Sequence, residues 1–189
     1  VGYKAVSALK KVRHPIPLLS LDKTKQIREL TAFLKKKYAL LMLKLDGLTV
    51  KLVYENGRLV EGSTRGDGEE GEIITHNVPA FCNVPLNIPY RERLVVTGEG
   101  FIHKNDFVRL KDTLVGGDGK PYRNARNLAA GSIRSLSAET CKERKINFFA
   151  FNVLEGMDET ADQKDSRSQK LLAIEEYGFE ICPFLPLSP

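Results

Sequence analysis

The sequence lacks the long apolar run that a membrane-spanning helix needs. No window of its 189 residues reaches the ~18 uninterrupted apolar residues of such a helix. The first residues, Val1 to Lys4, do not have the charged, apolar and small-residue regions of a signal peptide. We therefore expect no membrane association. Since the chain begins with Val1 in place of methionine, we also expect it to be an excised part of a longer protein.

Cysteine is scarce as well. Cys82, Cys141 and Cys182 are odd in number, far apart and without paired spacing. This pattern excludes a disulfide framework and a zinc site built from cysteine pairs. The three residues are expected to be reduced thiols of a cytosolic protein.

What the sequence does contain is the ordinary composition of a globular domain. Apolar residues make up 42% and charged residues 28% of the chain, which excludes a disordered tail and a fibrous protein. We find no internal repeat, low-complexity tract or long linker, so one domain over residues 1–189 is expected. The 29 basic and 24 acidic residues give a net charge of +5. That excess is compatible with a polyanionic partner but does not require one.

The pattern of turn residues predicts an α+β fold. Residues 1–22 are expected to form a short basic helix and then an extended segment, because Pro15 and Pro17 exclude a helix there. Asn56-Gly57 predicts a tight hairpin. Strands are expected over residues 38–45, 49–54, 58–63, 93–102 and 146–153; helices over 22–37 (capped by Asp22), 105–114 (capped by Asn105 or Asp106), 126–137 and 166–177. Strands joined by hairpins favour antiparallel sheets with flanking helices.

The tetrapeptide Lys44-Leu45-Asp46-Gly47 is the most informative motif. Lys44 interrupts an apolar run that is predicted to be a buried strand, and a buried ammonium group is costly. Desolvation and nearby cations favour the neutral amine, which is a nucleophile. Asp46, two residues on, is expected on the same face, where it would orient Lys44 or bind a metal. Gly47 is expected to leave room for a ligand. A lysine that reaches solvent beside an ordinary turn is the alternative.

Three further groups of residues suit a phosphate-bearing ligand. The glycine-rich segment 63–72 contains Arg65, which could neutralise phosphate or bind a ribose, although an acidic turn without a ligand has the same composition. Glu99 lies in a predicted strand between two glycines, where a ligand would find space. Arg126 and Arg134 are eight residues apart on a predicted helix of small residues. Solvated surface arginines are the alternative for this pair.

Taken in order, these motifs resemble the adenylation domain of bacterial NAD-dependent DNA ligases. The resemblance extends from about Val1 to Pro183. The K-x-D-G pattern at Lys44 is shared with RNA ligases, capping enzymes and ATP-dependent ligases. The motifs more specific to the NAD-dependent branch are Leu19-Ser20-Leu21-Asp22 and the arginine-rich helix.

The resemblance implies a role for each of these residues. Lys44, with Asp46 beside it, would be the catalytic nucleophile that attacks the α-phosphorus of NAD, expels nicotinamide mononucleotide and carries AMP as a phosphoramidate. AMP would then pass to the 5′-phosphate of a nick in double-stranded DNA, which is sealed. Arg126 and Arg134 would act in nucleotidyl transfer and on nicked DNA. The residues expected to contact the nucleotide are Ser20, Leu21, Lys44, Gly47, Arg65, Glu99 and Phe151, the last as an aromatic ring against adenine.

The resemblance also sets wider expectations. It implies a nucleotidyltransferase fold that is truncated at its C-terminal end, a cofactor requirement for NAD and Mg²⁺, and zinc only in a C-terminal module beyond this chain. It implies a monomer in the bacterial cytosol that serves DNA replication and repair of DNA damage. The isolated chain is not expected to seal nicks. The sequence departs from the family pattern at Met42, Thr97 and Ala125, which usually are glutamate, arginine and proline.

Two alternatives remain at this stage. The first is an RNA ligase or capping-type enzyme, which uses the same lysine chemistry with ATP or GTP as donor. The second is a ligase-like module that binds nucleotide or DNA without turnover, an alternative that Met42 keeps open because a thioether cannot replace a carboxylate as hydrogen-bond acceptor.

Overall fold

A computed structural model describes residues 8–35, 37–116, 119, 121–158 and 166–188. Helices and strands alternate irregularly along the chain, as expected for an α+β protein. The elements are β1 (Lys11–Arg13), α1 (Ile27–Leu34), β2 (Ala39–Met42), β3 (Leu48–Glu55), β4 (Arg58–Thr64), β5 (Glu70–Glu72), a 3₁₀ turn (Val78–Ala80), β6 (Leu94–Phe101), α2 (Lys104–Leu110), α3 (Ala125–Ile133), α4 (Ala138–Glu143), β7 (Asn147–Glu155), α5 (Ser166–Glu176) and β8 (Phe184–Leu187).

A four-stranded antiparallel sheet in the order β4-β3-β6-β7 forms the centre of the fold. The hairpin between β3 and β4 turns at Asn56 and Gly57, whose φ angles of 51° and 77° are those of a tight hairpin turn. The predicted mixed fold with antiparallel sheets and this hairpin are therefore confirmed.

The main core lies between one face of this sheet and the helices. Val50, Gly98 and Ala150 are register partners on that face, and directly opposed residues of antiparallel strands point the same way. A Cβ atom on Gly100 would lie 2.5 Å from Cδ1 of Ile133 in α3. The glycines beside Glu99 thus let helix and strand side chains approach β6 closely. The space that the sequence analysis assigned to a ligand is occupied by the core.

Two small sheets and an extended segment complete the fold. Strand β1 pairs with β5, and β2 pairs with β8, both antiparallel. Residues 14–20 lie along the glycine-rich segment, where the amides of His14 and Leu18 donate to the carbonyls of Glu69 and Gly68, each at 2.8 Å. The extended segment is thus as predicted. The basic helix proposed near the N-terminus lies partly outside the described residues, and Lys11–Arg13 of that stretch is a strand.

Several predicted boundaries were wrong. Helix α1 begins after Gln26, and neither Gln26 nor Asp22 supplies a side-chain cap to it. Helix α2 begins after His103, so Asn105 and Asp106 lie inside it. The helix predicted over 126–137 ends at Ile133, and α4 follows as a separate element. Asn124 caps α3 by accepting a hydrogen bond from the amide of Asn127 at 2.8 Å, a standard role for asparagine.

Strand β2 ends at Met42, three residues before the predicted end, because its pairing with β8 covers only residues 39–42. Helix α1 contributes no buried residue; Leu34 is half-buried, whereas Ile27, Leu30 and Phe33 are exposed, Ile27 to 81%. Among the described residues, none of the helices is both long enough and apolar enough to span a bilayer.

Candidate functional site

A small polar cavity lies where β3, β4 and β6 meet the N-terminal loop of β3 and helix α3. Its volume is about 50 Å³. Its cations are Lys44, Arg65, Arg126 and Arg134, and its carboxylates are Glu72 and Glu99. The remaining lining residues are Gly47, Leu48, Thr49, Thr64 and Gly66. Residues from four distant parts of the sequence, which were predicted separately, are therefore brought to one place.

Lys44 lies in the loop between β2 and β3 and is exposed. Its Nζ donates to the carbonyl oxygen of Leu45 at 3.2 Å. The prediction that Lys44 ends a buried strand was wrong, because β2 stops at Met42. Lys44 is therefore not buried, but it lies with three arginines around one cavity.

Glu99 is the central acceptor of the site. Its carboxylate accepts a hydrogen bond from the amide of Gly47 at 3.0 Å and another from the hydroxyl of Thr49 at 3.0 Å. Glu99 is 6% exposed. Burial raises the pKa of this carboxyl above its ordinary value, and the hydrogen bonds from Thr49 and Gly47 only partly oppose that effect. Glu99 thus fixes the turn that follows Lys44.

Glu99 should leave a signature in the pH dependence of stability. A carboxyl whose pKa is higher in the folded than in the unfolded state contributes stability below its ordinary value of 4.5, and that contribution is lost as the pH rises through the folded pKa. Glu99→Gln cannot titrate. The wild type should therefore lose unfolding free energy relative to Glu99→Gln as the pH rises from about 4 to 8.

Urea unfolding of both proteins across that range measures the effect. Glu139→Gln removes the same charge from an exposed helix position, so it separates the effect of net charge from that of burial. A difference between wild type and Glu99→Gln that stays constant with pH would contradict the burial of an ionisable Glu99.

Gly47 has a different role from the one predicted. A Cβ atom there would lie 2.1 Å from the carbonyl oxygen of Gly100. The missing side chain therefore lets the loop after Lys44 pack on the backbone of β6. The room was predicted for a ligand and is taken by the protein itself.

Gly47→Ala should destabilise the chain because backbone atoms cannot move aside cheaply. We expect a loss of about 1–3 kcal/mol, the usual cost of overpacking, together with displacement of the loop that carries Lys44. Urea unfolding measures the loss. In the control Gly131→Ala, the nearest atom is the hydroxyl at the end of the Tyr122 side chain, 3.0 Å away, and the helix favours alanine. Equal stability losses in the two variants would contradict this account.

Arg65 connects the extended segment to the cavity. It lines the cavity, and its Nη1 donates to the hydroxyl of Ser20 at 3.4 Å. Its backbone amide donates to the carbonyl oxygen of Thr49 at 3.0 Å. Ser20 is exposed and is brought to the site through Arg65, whereas Leu21 is 79% exposed and lies outside the cavity lining.

The two arginines of the predicted helix both line the cavity but differ in their partners. Arg126 forms an ion pair with Asp46 at 3.2 Å, and these side chains are 41% and 71% exposed. Arg134, just after the end of α3, is only 12% exposed. Its Nε and Nη2 donate to the two carboxylate oxygens of Glu72, each at 2.8 Å. The alternative of a solvated surface arginine therefore fails for Arg134.

Phe151 of the predicted site lies outside the cavity lining, as Asp46, Ser20 and Leu21 do, and so does Met42, where the sequence departs from the family pattern. Phe151 is half-buried in β7, and its carbonyl oxygen accepts a hydrogen bond from Arg167 at 3.1 Å. Met42 packs against the core cluster at the end of β2, where it is the register partner of Phe184. Neither side chain is brought to Lys44 in the described structure.

Three residues of the site were missed as candidates. Glu72 holds Arg134, and Thr64 bridges to Glu72 by accepting its amide at 3.0 Å. His14 is 4% exposed and its Nε2 donates to the carbonyl oxygens of Thr64 and Arg65, at 3.1 and 3.2 Å. Because all of these contacts join residues far apart in the sequence or on different elements, local patterns did not reveal them.

Carboxylates near the cavity are already engaged with protein groups. Within the described ranges, no group of three histidine, cysteine, aspartate or glutamate side chains is arranged to hold a metal ion. Asp46 is the exposed carboxylate beside the site, and its ion pair with Arg126 is exposed as well. Exposed ion pairs contribute little stability, so Asp46 could exchange its partner for a cation.

Comparisons with known proteins identify the family of the chain. The profile of the NAD-dependent DNA ligase adenylation domain family matches residues 6–187. The chain is 40% identical over 184 residues to a DNA ligase of Ruminiclostridium cellulolyticum, which is 97% of this chain and 28% of that protein. It is 42% identical over 181 residues to a DNA ligase of Lachnoclostridium phytofermentans, 96% of this chain and 27% of that protein.

A DNA ligase of Mycoplasma genitalium is 36% identical over 168 residues, 85% of this chain and 25% of that protein. The chain thus spans little more than a quarter of the length of the relatives it matches. The motif order, the grouping of Lys44 with Arg65, Glu99, Arg126 and Arg134, and the match over nearly all residues lead to one conclusion. The chain belongs to the NAD-dependent DNA ligase adenylation domain family.

Proposed function

We propose that this chain is the nucleotidyltransferase-fold part of a ligase that seals nicks in double-stranded DNA with NAD as the AMP donor. The observation that carries the proposal is the cavity in which Lys44 lies with Arg65, Arg126 and Arg134. A primary amine surrounded by guanidinium groups suits attack on a phosphate, because the arginines neutralise the charge of the phosphate oxygens.

In the first step, Nζ of Lys44 attacks the α-phosphorus of NAD. A nitrogen–phosphorus bond forms, the phosphorus–oxygen bond to nicotinamide mononucleotide breaks, and AMP remains on Lys44. The reaction is a transfer at phosphorus, in which positioning and charge neutralisation dominate. Arg65 would contribute both, since it lines the cavity and is tied to the extended segment through Ser20.

The adenosine of NAD would lie along the residues that the family motifs assign to it. Ser20, Leu21 and Phe151 would contact the nucleoside, with the Phe151 ring against adenine. Glu99 and Gly47 would act at the ribose end through the hydrogen bond that already joins them at 3.0 Å. In the second step, the 5′-phosphate of a nick attacks the phosphorus on Lys44, the nitrogen–phosphorus bond breaks and AMP moves to the DNA. In the third step, the 3′-hydroxyl of the nick attacks the 5′-phosphate, the strands are joined and AMP leaves. Arg126 and Arg134 would act on phosphate in these steps.

Mg²⁺ fits the site with Asp46 as its protein ligand. Magnesium is usually held by one or two carboxylates together with substrate phosphates and water. Asp46 is exposed and adjoins the cavity through Arg126. When bound, the ion would neutralise negative charge on the phosphate oxygens of the substrate. We further infer a location in the bacterial cytosol, where nicked DNA from replication and repair is found.

The choice of donor tests the function. The full-length protein that contains these residues is incubated with nicked duplex DNA and Mg²⁺, once with NAD and once with ATP or GTP. The proposal predicts sealing with NAD alone. Sealing with ATP or GTP but not NAD would instead identify an ATP-dependent, RNA-ligase-like or capping-type enzyme. A protein that binds nucleotide but forms no AMP adduct with any donor would be a non-catalytic module.

A further inference from the structure

We propose that Glu72 is a positioning residue that fixes the orientation of the Arg134 guanidinium at the wall of the Lys44 cavity. The inference rests on the proposed function, because it assigns Arg134 a role on phosphate. Glu72 itself would not contact the substrate phosphate. It would act only through Arg134, by holding the guanidinium in a fixed orientation towards the phosphate.

The hydrogen bonds between Glu72 and Arg134 have the geometry that fixes the orientation of the guanidinium. Nε and Nη2 of Arg134 each donate to one oxygen of Glu72 at 2.8 Å. Two parallel hydrogen bonds between a planar guanidinium and a planar carboxylate set the plane as well as the distance. Two of the five N–H donors of Arg134 are used in this way. The guanidinium is thus held edge-on by β5 while it lines the cavity.

Glu72, which binds Arg134, is itself fixed in place by burial and by hydrogen bonds to Thr64. Glu72 is 2% exposed and lies in β5. The hydroxyl of Thr64 in β4 accepts a hydrogen bond from the amide of Glu72 at 3.0 Å and lies 3.3 Å from its Oε2. A buried carboxylate that is bonded to the neighbouring strand β4 cannot follow a moving arginine. Removal of either charge would leave the other buried without compensation, which is strongly unfavourable.

Arg126 shows the contrast within the same cavity. Its partner Asp46 is 71% exposed, and Arg126 itself is 41% exposed. An ion pair of this kind can open in water at little cost. The site therefore combines one arginine in an exposed ion pair and one whose direction is set in advance by the fold. Preset charges are the more effective kind in transition-state stabilisation, because they need no reorganisation during the reaction.

The test compares Glu72→Gln and Glu72→Asp with Glu70→Gln in the full-length protein. Glu70 lies on the same strand in an exposed ion pair with Lys11 at 2.9 Å, so it controls for the loss of a charge from β5. Self-adenylation with NAD and sealing of a pre-adenylated nick are measured separately under single-turnover conditions. Glu72→Asp retains the charge but withdraws the carboxylate by one methylene, which keeps an ion pair and shifts the guanidinium.

We expect both Glu72 variants to lose about tenfold to a hundredfold in the step that Arg134→Ala also slows, since a displacement of about 1 Å has effects of this size. The KM of the Glu72 variants for NAD should stay near that of the wild type. The rates of the control Glu70→Gln should also stay near those of the wild type. Glu72→Gln combined with Arg134→Ala should be no slower than Arg134→Ala alone. Rates of the Glu72 variants within threefold of the wild type, or losses that multiply in the double variant, would overturn the inference.

A readout without turnover separates this inference from the proposed function. In ¹⁵N NMR of the 189-residue chain, the Nε–H of Arg134 should be protected from exchange in the wild type and exchange freely in Glu72→Gln. A wild-type Nε–H that exchanges as freely as that of Arg28, which is exposed on α1, would overturn the positioning role, whatever the activity. Failure of the wild type to form an AMP adduct would overturn the proposed function and leave the NMR result to decide on Glu72.

Discussion

Lys44→Arg is expected to abolish formation of the AMP adduct, and with it all sealing that starts from NAD. Arginine preserves the positive charge and most of the length of the side chain. Its guanidinium remains protonated at working pH and cannot become a neutral nitrogen nucleophile. The loss should therefore be complete, whereas removal of a neighbouring charge only slows the step. Intact-mass spectrometry of the full-length variant after incubation with NAD and Mg²⁺ measures it.

Lys142→Arg is the matched control, because Lys142 is exposed on α4 away from the cavity. It should form the adduct as the wild type does. A second informative assay supplies the variant with a nick that already carries AMP on its 5′-phosphate. Sealing of that substrate by Lys44→Arg is compatible with the account, since the nucleophile has completed its role by then. An AMP mass on Lys44→Arg would contradict the assignment of Lys44.

The second large effect concerns the 189-residue chain by itself. It should fold, bind adenosine nucleotides weakly and seal no nicks. The cavity beside Lys44 has a volume of about 50 Å³, whereas pockets that enclose a drug-sized ligand have about 300–1,000 Å³. A nucleotide on this part alone would thus stay largely in water, and the guanidinium groups would act at a high dielectric constant, where charge neutralisation is weak.

A nicked duplex with NAD and Mg²⁺, run beside the full-length protein, gives the comparison. Titration with AMP followed by fluorescence or NMR gives the affinity. Binding of DNA should also be weak and should fall steeply with salt, because the contacts that remain, such as those of Arg126, are made to phosphate. Sealing by the isolated chain at a rate near that of the full-length protein would show that residues 1–189 contain all groups that the chemistry needs.

The sequence predicted the parts of the fold that local rules determine. The Asn56-Gly57 hairpin appears where the two residues with positive φ demand it, because few other dipeptides adopt that turn. The extended segment around Pro15 and Pro17 also formed as expected. Boundaries that depend on tertiary partners were less predictable. Strand β2 stops at Met42 because β8 pairs only with residues 39–42. The length of this pairing depends on a distant segment of the chain, so the local sequence does not predict it.

In the candidate site too, some features could be predicted from the sequence and others depend on tertiary contacts. The structure brings Lys44, Arg65, Glu99, Arg126 and Arg134 to one cavity, whereas Ser20, Leu21 and Phe151 lie outside its lining. The roles of these residues stay a prediction. The reasons given for individual residues were less accurate. Gly47 avoids the carbonyl of Gly100, a contact across 53 positions in the chain that spacing could not reveal. The pairing of Arg134 with Glu72 likewise joins α3 to β5 and depends on how the helix packs on the sheet.

The central claim is that Lys44 becomes linked to AMP from NAD, and the most direct measurement is tandem mass spectrometry of the full-length protein. The protein is incubated with NAD and Mg²⁺ without DNA, digested and sequenced. The account predicts a gain of one adenylate group, located on Lys44 and lost when nicked DNA is added. An adenylate on another residue, or an adduct that forms from ATP and not from NAD, would contradict it.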